Sequence, residues 1–169
     1  MKKILAVAFT TLLLLSAKST FAASTNFDAD SAKANITLGT SDVVNVVVES
    51  IELPTEFTYR KAYMWGGDDT TPPKTIIKAI TISSKGESIF IPLSAYSDLG
   101  NPRKISLSKL AVRGFRLLIV GGDAAGSYQA MLDFKDNEIS RRRVVSGEFP
   151  IEVWEETTYS FNHLNNYPV

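Results

Sequence analysis

The chain has 169 residues, with 18 Lys and Arg balanced by 18 Asp and Glu, one His and no Cys. Without cysteine there can be no disulfide scaffold, thiolate-ligated zinc, iron–sulfur cluster or thiol nucleophile, and a single His163 argues against His-rich metal centres and His-based triads. The length predicts one domain, and no cofactor is expected.

Residues 1–22 read as a signal peptide. Lys2 and Lys3 form a positive start, residues 4–15 are apolar, and Thr20-Phe21-Ala22 places small residues where a signal peptidase reads, so cleavage is expected after Ala22. The apolar run is shorter than the roughly 20 residues that a spanning helix needs, and a bacterial lipid anchor would require a cysteine. Cleavage removes Lys2, Lys3 and Lys18, which leaves 15 basic against 18 acidic residues, a net of −3. A mildly acidic exported chain argues against nucleic acid as a partner. The expected location is the periplasm or the exterior, with no integral membrane segment in the mature form.

Residues 23–42 are rich in Ala, Ser, Asn, Asp and Thr, and read as a flexible lead or a marginal first strand. Residues 43–162 form the predicted single β domain, and residues 163–169 a loose tail. The first clear strand is 43–53, stopped by Pro54. A second is 57–63, where Phe57, Tyr59, Lys61 and Tyr63 alternate with Thr58, Arg60 and Ala62. Residues 75–83 and 87–92 make a hairpin around Lys85-Gly86. Residues 94–100 carry the one predicted helical turn, capped by Ser94 and ended by Gly100. Strands follow at 104–112 and at 115–120, the latter apolar on both faces and hence central. Tyr128, Ala130, Leu132 and Phe134 alternate with polar neighbours, Lys135 to Glu138 turn the chain, and 139–145 and 153–161 complete an antiparallel meander. The fold class expected is all-β, an antiparallel β-sandwich of about eight strands with one short helical turn. A small β-barrel is the alternative; the uneven strands and the long connections around 68–74 and 92–102 favour the sandwich.

Four stretches invite a functional reading. The loop 121–128 contains Gly122, Asp123, Gly126, Ser127 and Tyr128; its glycines allow a wide hairpin connection, and they would also let the loop insert into a partner or hold an anion on its amides. It lacks the Lys and hydroxyl of a phosphate loop. Arg141-Arg142-Arg143 is the dense basic run. On a strand Arg141 and Arg143 share one face, with Ile139 and Val145, while Arg142 points to the other. Glu148, Glu152, Glu155 and Glu156 could pair with them across strands, and arginines are also common anchors at protein interfaces. Trp65 with Asp68 and Asp69 reads first as a solvated turn. Tyr63, Trp65 and Trp154 would be the stacking platforms of a carbohydrate or small-ligand module, although a Trp such as Trp154 more often covers the end of a core.

Catalysis would fall to carboxylates such as Asp123 and Glu148, acting on an envelope polymer, and nothing in the sequence brings these two together. Non-catalytic binding of a protein partner in the envelope, of inhibitor, immunity or assembly-factor type, is the leading expectation. The surfaces expected to carry it are Gly122, Asp123, Gly126, Ser127, Tyr128, Arg141 and Arg143. The carbohydrate module comes second and the hydrolase third.

Overall fold

The computed structural model describes residues 23–38, 42–54, 72–111 and 114–161. Among them are the strands β1 (Ala23–Asn26), β2 (Ser31–Leu38), β3 (Asp42–Glu52), β4 (Thr75–Ser84), β5 (Glu87–Ile89), β6 (Pro102–Leu110), β7 (Gly114–Gly121), β8 (Tyr128–Lys135), β9 (Glu138–Ser146) and β10 (Val153–Thr158). They form two antiparallel sheets, one in the order β1-β6-β7-β8-β9-β10 and one in the order β2-β3-β4-β5. Among the described strands neither sheet closes on itself. The architecture is therefore a β-sandwich, with β2 packed against β1 and β6 of the larger sheet.

The period of two builds the core directly. On β3, Val44, Val46 and Val48 are buried between exposed or half-buried neighbours, and they face Ile105 and Leu107 of β6, Leu117 and Ile119 of β7, and Ala130, Leu132 and Phe134 of β8 in one cluster. Phe115 and Phe134 stack across β7 and β8, with ring centroids 4.6 Å apart and planes 6° from parallel. Two tight connections follow from local sequence. Lys85 and Gly86 both have positive φ, as do Asp136 and Asn137, which is the twist a two-residue hairpin turn requires.

Several expectations need correction. Within the lead, the strand reading holds and the flexible one does not for residues 23–26 and 31–38: β1 pairs with β6 from Ala23 opposite Leu107 to Asn26 opposite Lys104, and β2 pairs with β3 along its whole length. The residues are weak strand formers, but Ala32, Ala34 and Ile36 alternate inward, and small side chains suffice where two sheets approach closely. These two strands bring the number above the expected eight. The turn near residue 94 is a single 3₁₀ turn, Leu93–Ala95, with Pro92 at its start and no side-chain cap, so Ser94 does not cap it. A second 3₁₀ turn, Ala124–Gly126, was not anticipated. On β4, Ile77 and Ile80 both face the core although they are three apart, because a bulge opposite Glu49 and Ser50 inserts Lys78. The proposed signal peptide, the strand 57–63 and the tail 163–169 lie outside the described residues.

Candidate binding surface

One end of the sandwich is a continuous hydrogen-bonded cap made from connections remote in sequence. The Leu53 amide donates to the Lys74 carbonyl (2.8 Å), the Asn101 amide to Thr75 (2.8 Å), and the Gly122 amide to Asn101 (3.2 Å). The Asn101 side chain accepts from the amides of Lys74 and Thr75 at 2.9 and 3.2 Å. The Gly147 amide then donates to the Ser127 carbonyl at 2.8 Å, which joins the β7–β8 connection to the β9–β10 connection. Such mutual bonding lets loops hold a fixed shape on a rigid sheet scaffold.

Within the loop 121–128, the expected contact residues divide. Tyr128 is the first residue of β8 and points inward, fully buried, with its hydroxyl donating to the Gly100 carbonyl at 2.9 Å. Burial pushes its phenol far above the ordinary range; Asp98 adds to the shift, and Arg142 and Arg103 oppose it. Tyr128 is thus a core residue, and its register on β8 is the reason. Gly122 and Gly126 are buried too. Gly122 has φ +68°, and a Cβ there would collide with the Gly126 carbonyl, so these glycines serve backbone packing rather than contact. Asp123 is exposed, and its carboxylate accepts from the Ala124 amide at 2.8 Å, closing the 3₁₀ turn. Ser127 is half-buried beneath Gly147. Asp123, Ala124 and Ala125 are what this loop offers to the outside.

The neighbouring connection 146–153 offers more. Phe149 is 57% exposed, Ile151 91% and Val153 43%. The chain here is a tight turn. The Phe149 amide donates to Ser146 Oγ (3.0 Å), the Glu152 amide to the Phe149 carbonyl (2.8 Å), and the Ser146 amide to the Glu152 carbonyl (3.1 Å). Pro150 supplies the φ that the second turn position prefers, and Ile151 keeps a negative φ, so no glycine is needed after it. In the sequence the stretch 147–155 combines a turn, two large aromatics and three acids, and the anchor role falls to Trp154 rather than to Phe149 or Ile151. The available signal was two large apolar residues flanking a proline inside a turn, where the chain has no partner face on which to bury them.

The arginines of β9 form a different assembly. Arg116 on β7 is bidentate to Asp133 on β8 (2.5 and 2.9 Å), and Arg141 reaches the same carboxylate at 2.8 Å. Arg141 lies 4.0 Å from Glu156 of β10, and Arg143 Nε lies 3.5 Å from that same side chain. Four adjacent strands are thus laced on the outer face of the larger sheet, and Arg141 and Arg143 are engaged within it, apart from the loop cap. The shared face of Arg141 and Arg143 matches the period of two, but Ile139 lies on the opposite face with Arg142. A bulge makes the difference: Asp133 opposes Arg141 and Phe134 opposes Ile139, so Ser140 is extra. Arg142 itself is buried, bonded to Asp98, Ser94 and Glu155.

Burial by itself would raise the Asp133 carboxyl, yet hydrogen bonds and charge from Arg116 and Arg141 outweigh it and hold the group below the usual carboxylate range. A carboxyl lowered on folding stabilises above its unfolded pKa, about 3.9, and that contribution fades as pH falls through the lower folded value. Asp133→Asn is therefore expected to lose about 2 kcal/mol at pH 7 and progressively less below about pH 4, measured by urea unfolding across pH. A deficit independent of pH would exclude this account.

Trp154 is half-buried and packs against the core, which fits a covering residue better than a stacking platform; Tyr63 and Trp65 lie outside the described residues. Asp123 and Glu148 are both exposed on the loop cap. A cavity of about 520 Å³ lies beside β3, lined by Asp30, Ser31, Glu49, Ser50, Ile51, Glu52 and Lys78, a set that sequence reading had not assembled because it joins the β1–β2 turn to β3 and β4. Among the described residues no group of three or more His, Asp or Glu is placed to hold a metal ion. No described helix is long and apolar enough to cross a membrane. Comparison with family models, characterised proteins and solved structures returned no match.

Proposed function

We propose that the chain is an exported, non-catalytic binding protein that engages a protein partner in the periplasm or envelope through the joined loops 121–128 and 146–153. The observation that carries this reading is the 91% exposure of Ile151 beside Phe149 at 57%, on a turn pinned by three hydrogen bonds. Large apolar side chains held out in water on an ordered turn forgo the roughly 25 cal/mol per Å² that burial returns, and such exposure marks contact surfaces. An inhibitor, immunity or assembly role all use a contact of this kind.

The double substitution Phe149→Ser with Ile151→Ser tests it. Both side chains already face solvent, so the thermal midpoint should be unchanged, while affinity for proteins cross-linked to the mature domain in envelope preparations should fall at least tenfold. Retention of the same partners at the same affinity would remove this surface from consideration.

A further inference from the structure

The backbone of the exposed turn is spent on itself. The amides of Ser146, Phe149 and Glu152 donate inward, and the carbonyls of Phe149 and Glu152 accept from within the same turn. A segment with its polar groups so engaged cannot add as a strand to a partner sheet, nor lie extended along the cleft of a processing enzyme, since both modes use those groups in an extended chain. What remains for recognition is the side chains at the apex, Phe149 and Ile151, presented around the rigid Pro150. Their chemistry calls for an apolar pocket.

The charge carried by these two joined loops has one sign. Asp123, Glu148 and Glu152 are exposed, and loops 121–128 and 146–153 contain neither Lys nor Arg. An acidic ring excludes an acidic surface and favours a basic one, and it disfavours an anionic lipid bilayer, whose headgroups would meet carboxylates at the depth where Phe149 and Ile151 would insert. Resting on the function proposed above, we infer that the Phe149–Glu152 turn enters, as a side-chain knob, an apolar pocket with a Lys- or Arg-lined rim on its protein partner.

The test places a photo-cross-linking amino acid at Ile151 in the full chain, expressed in its envelope, with a control at the exposed Lys135, the last residue of β8 at the far end. The adduct is mapped by mass spectrometry, and the identified protein is purified and titrated against the domain between about 50 and 300 mM salt. The expected result is a peptide bordered by Lys or Arg, an affinity that falls about tenfold over that range, and a flatter salt dependence with Glu148→Gln and Glu152→Gln. An adduct to a protein whose site lacks basic residues, or binding indifferent to salt, overturns the inference and leaves the function proposed above standing. Cross-linking of Ile151 to a second copy of the chain, or sedimentation with vesicles of phosphatidylcholine and phosphatidylglycerol that the serine variants lose, overturns it in favour of self-association or a membrane. Adducts from Lys135 with none from Ile151, or none from either, overturn the proposed contact surface and the inference with it.

Discussion

Arg142→Met is expected to destabilise the domain by about 3 to 5 kcal/mol, enough to lower the urea midpoint by more than 1 M. The side chain is only 4% exposed and ties three pieces of the fold together. Its Nη2 donates to Asp98 at 2.6 Å, and its Nη1 lies 3.0 Å from the Ser94 carbonyl and 3.1 Å from Glu155 of β10. Among the described residues Asp98 Oδ1 and Arg142 Nε are buried without partners, so the cluster has little surplus satisfaction to draw on. Removal of the guanidinium leaves the Asp98 carboxylate, only 23% exposed, without this charge partner, which is what makes breaking a largely buried pair expensive. Adding Asp98→Asn to Arg142→Met should recover a large part of the loss, because the stranded charge is then gone. A single-variant loss below about 1 kcal/mol, or no recovery in the double variant, would show that the residual charge is not the cause.

The second large effect is at Gly122. Gly122→Ala should cost about 2 to 5 kcal/mol, because two penalties act together: a left-handed φ of +68°, and a Cβ that collides with the Gly126 carbonyl and comes within 3.0 Å of Ser127 Cα. Gly86 separates them. It has φ +81° and open space where its Cβ would lie, so Gly86→Ala should lose only the backbone part, about 1 kcal/mol. Equal losses at the two positions, read by urea unfolding, would mean that the loop yields at the 3₁₀ turn and that the cap is softer than its hydrogen bonds imply. The comparison bears on function as well, since Gly122 bonds to Asn101 and thereby anchors the cap that presents Asp123, Phe149 and Ile151.

The readings that held were those resting on local chemistry. The spacing of Tyr128, Ala130, Leu132 and Phe134 gives a strand with one buried face, and Lys85-Gly86 and the polar Asp136-Asn137 read as turns, where the structure has two successive positive φ values. The readings that changed needed a partner strand or a distant loop. The segment 23–42 looked weak because propensity is judged without its neighbours, whereas β2 gains its pairing from β3 and its burial from β6. Tyr128 has two readings in the sequence, as the first residue of the alternating strand and as a contact residue of the loop; its register opposite Gly121 and Ser146 turns it inward, and only the first stands. In the stretch 147–155 the anchor role fell to Trp154, the larger side chain, which packs on the core instead, while Phe149 and Ile151 face outward.

The absence of cysteine and the alternating Val, Ile, Leu and aromatic residues were enough, by themselves, to determine an all-β domain held by an apolar core, because a period of two admits only one way to separate apolar from polar side chains. Three things were decided only in the tertiary structure. The bulge at Ser140 set which face Ile139 takes, burial of Arg142 placed an ion cluster between β9, β10 and the connection that precedes β6, and the bond from Gly147 to Ser127 brought the two loops of the cap together. Each depends on hydrogen bonds to another strand or loop, and the periodicity of a single strand carries no information about those.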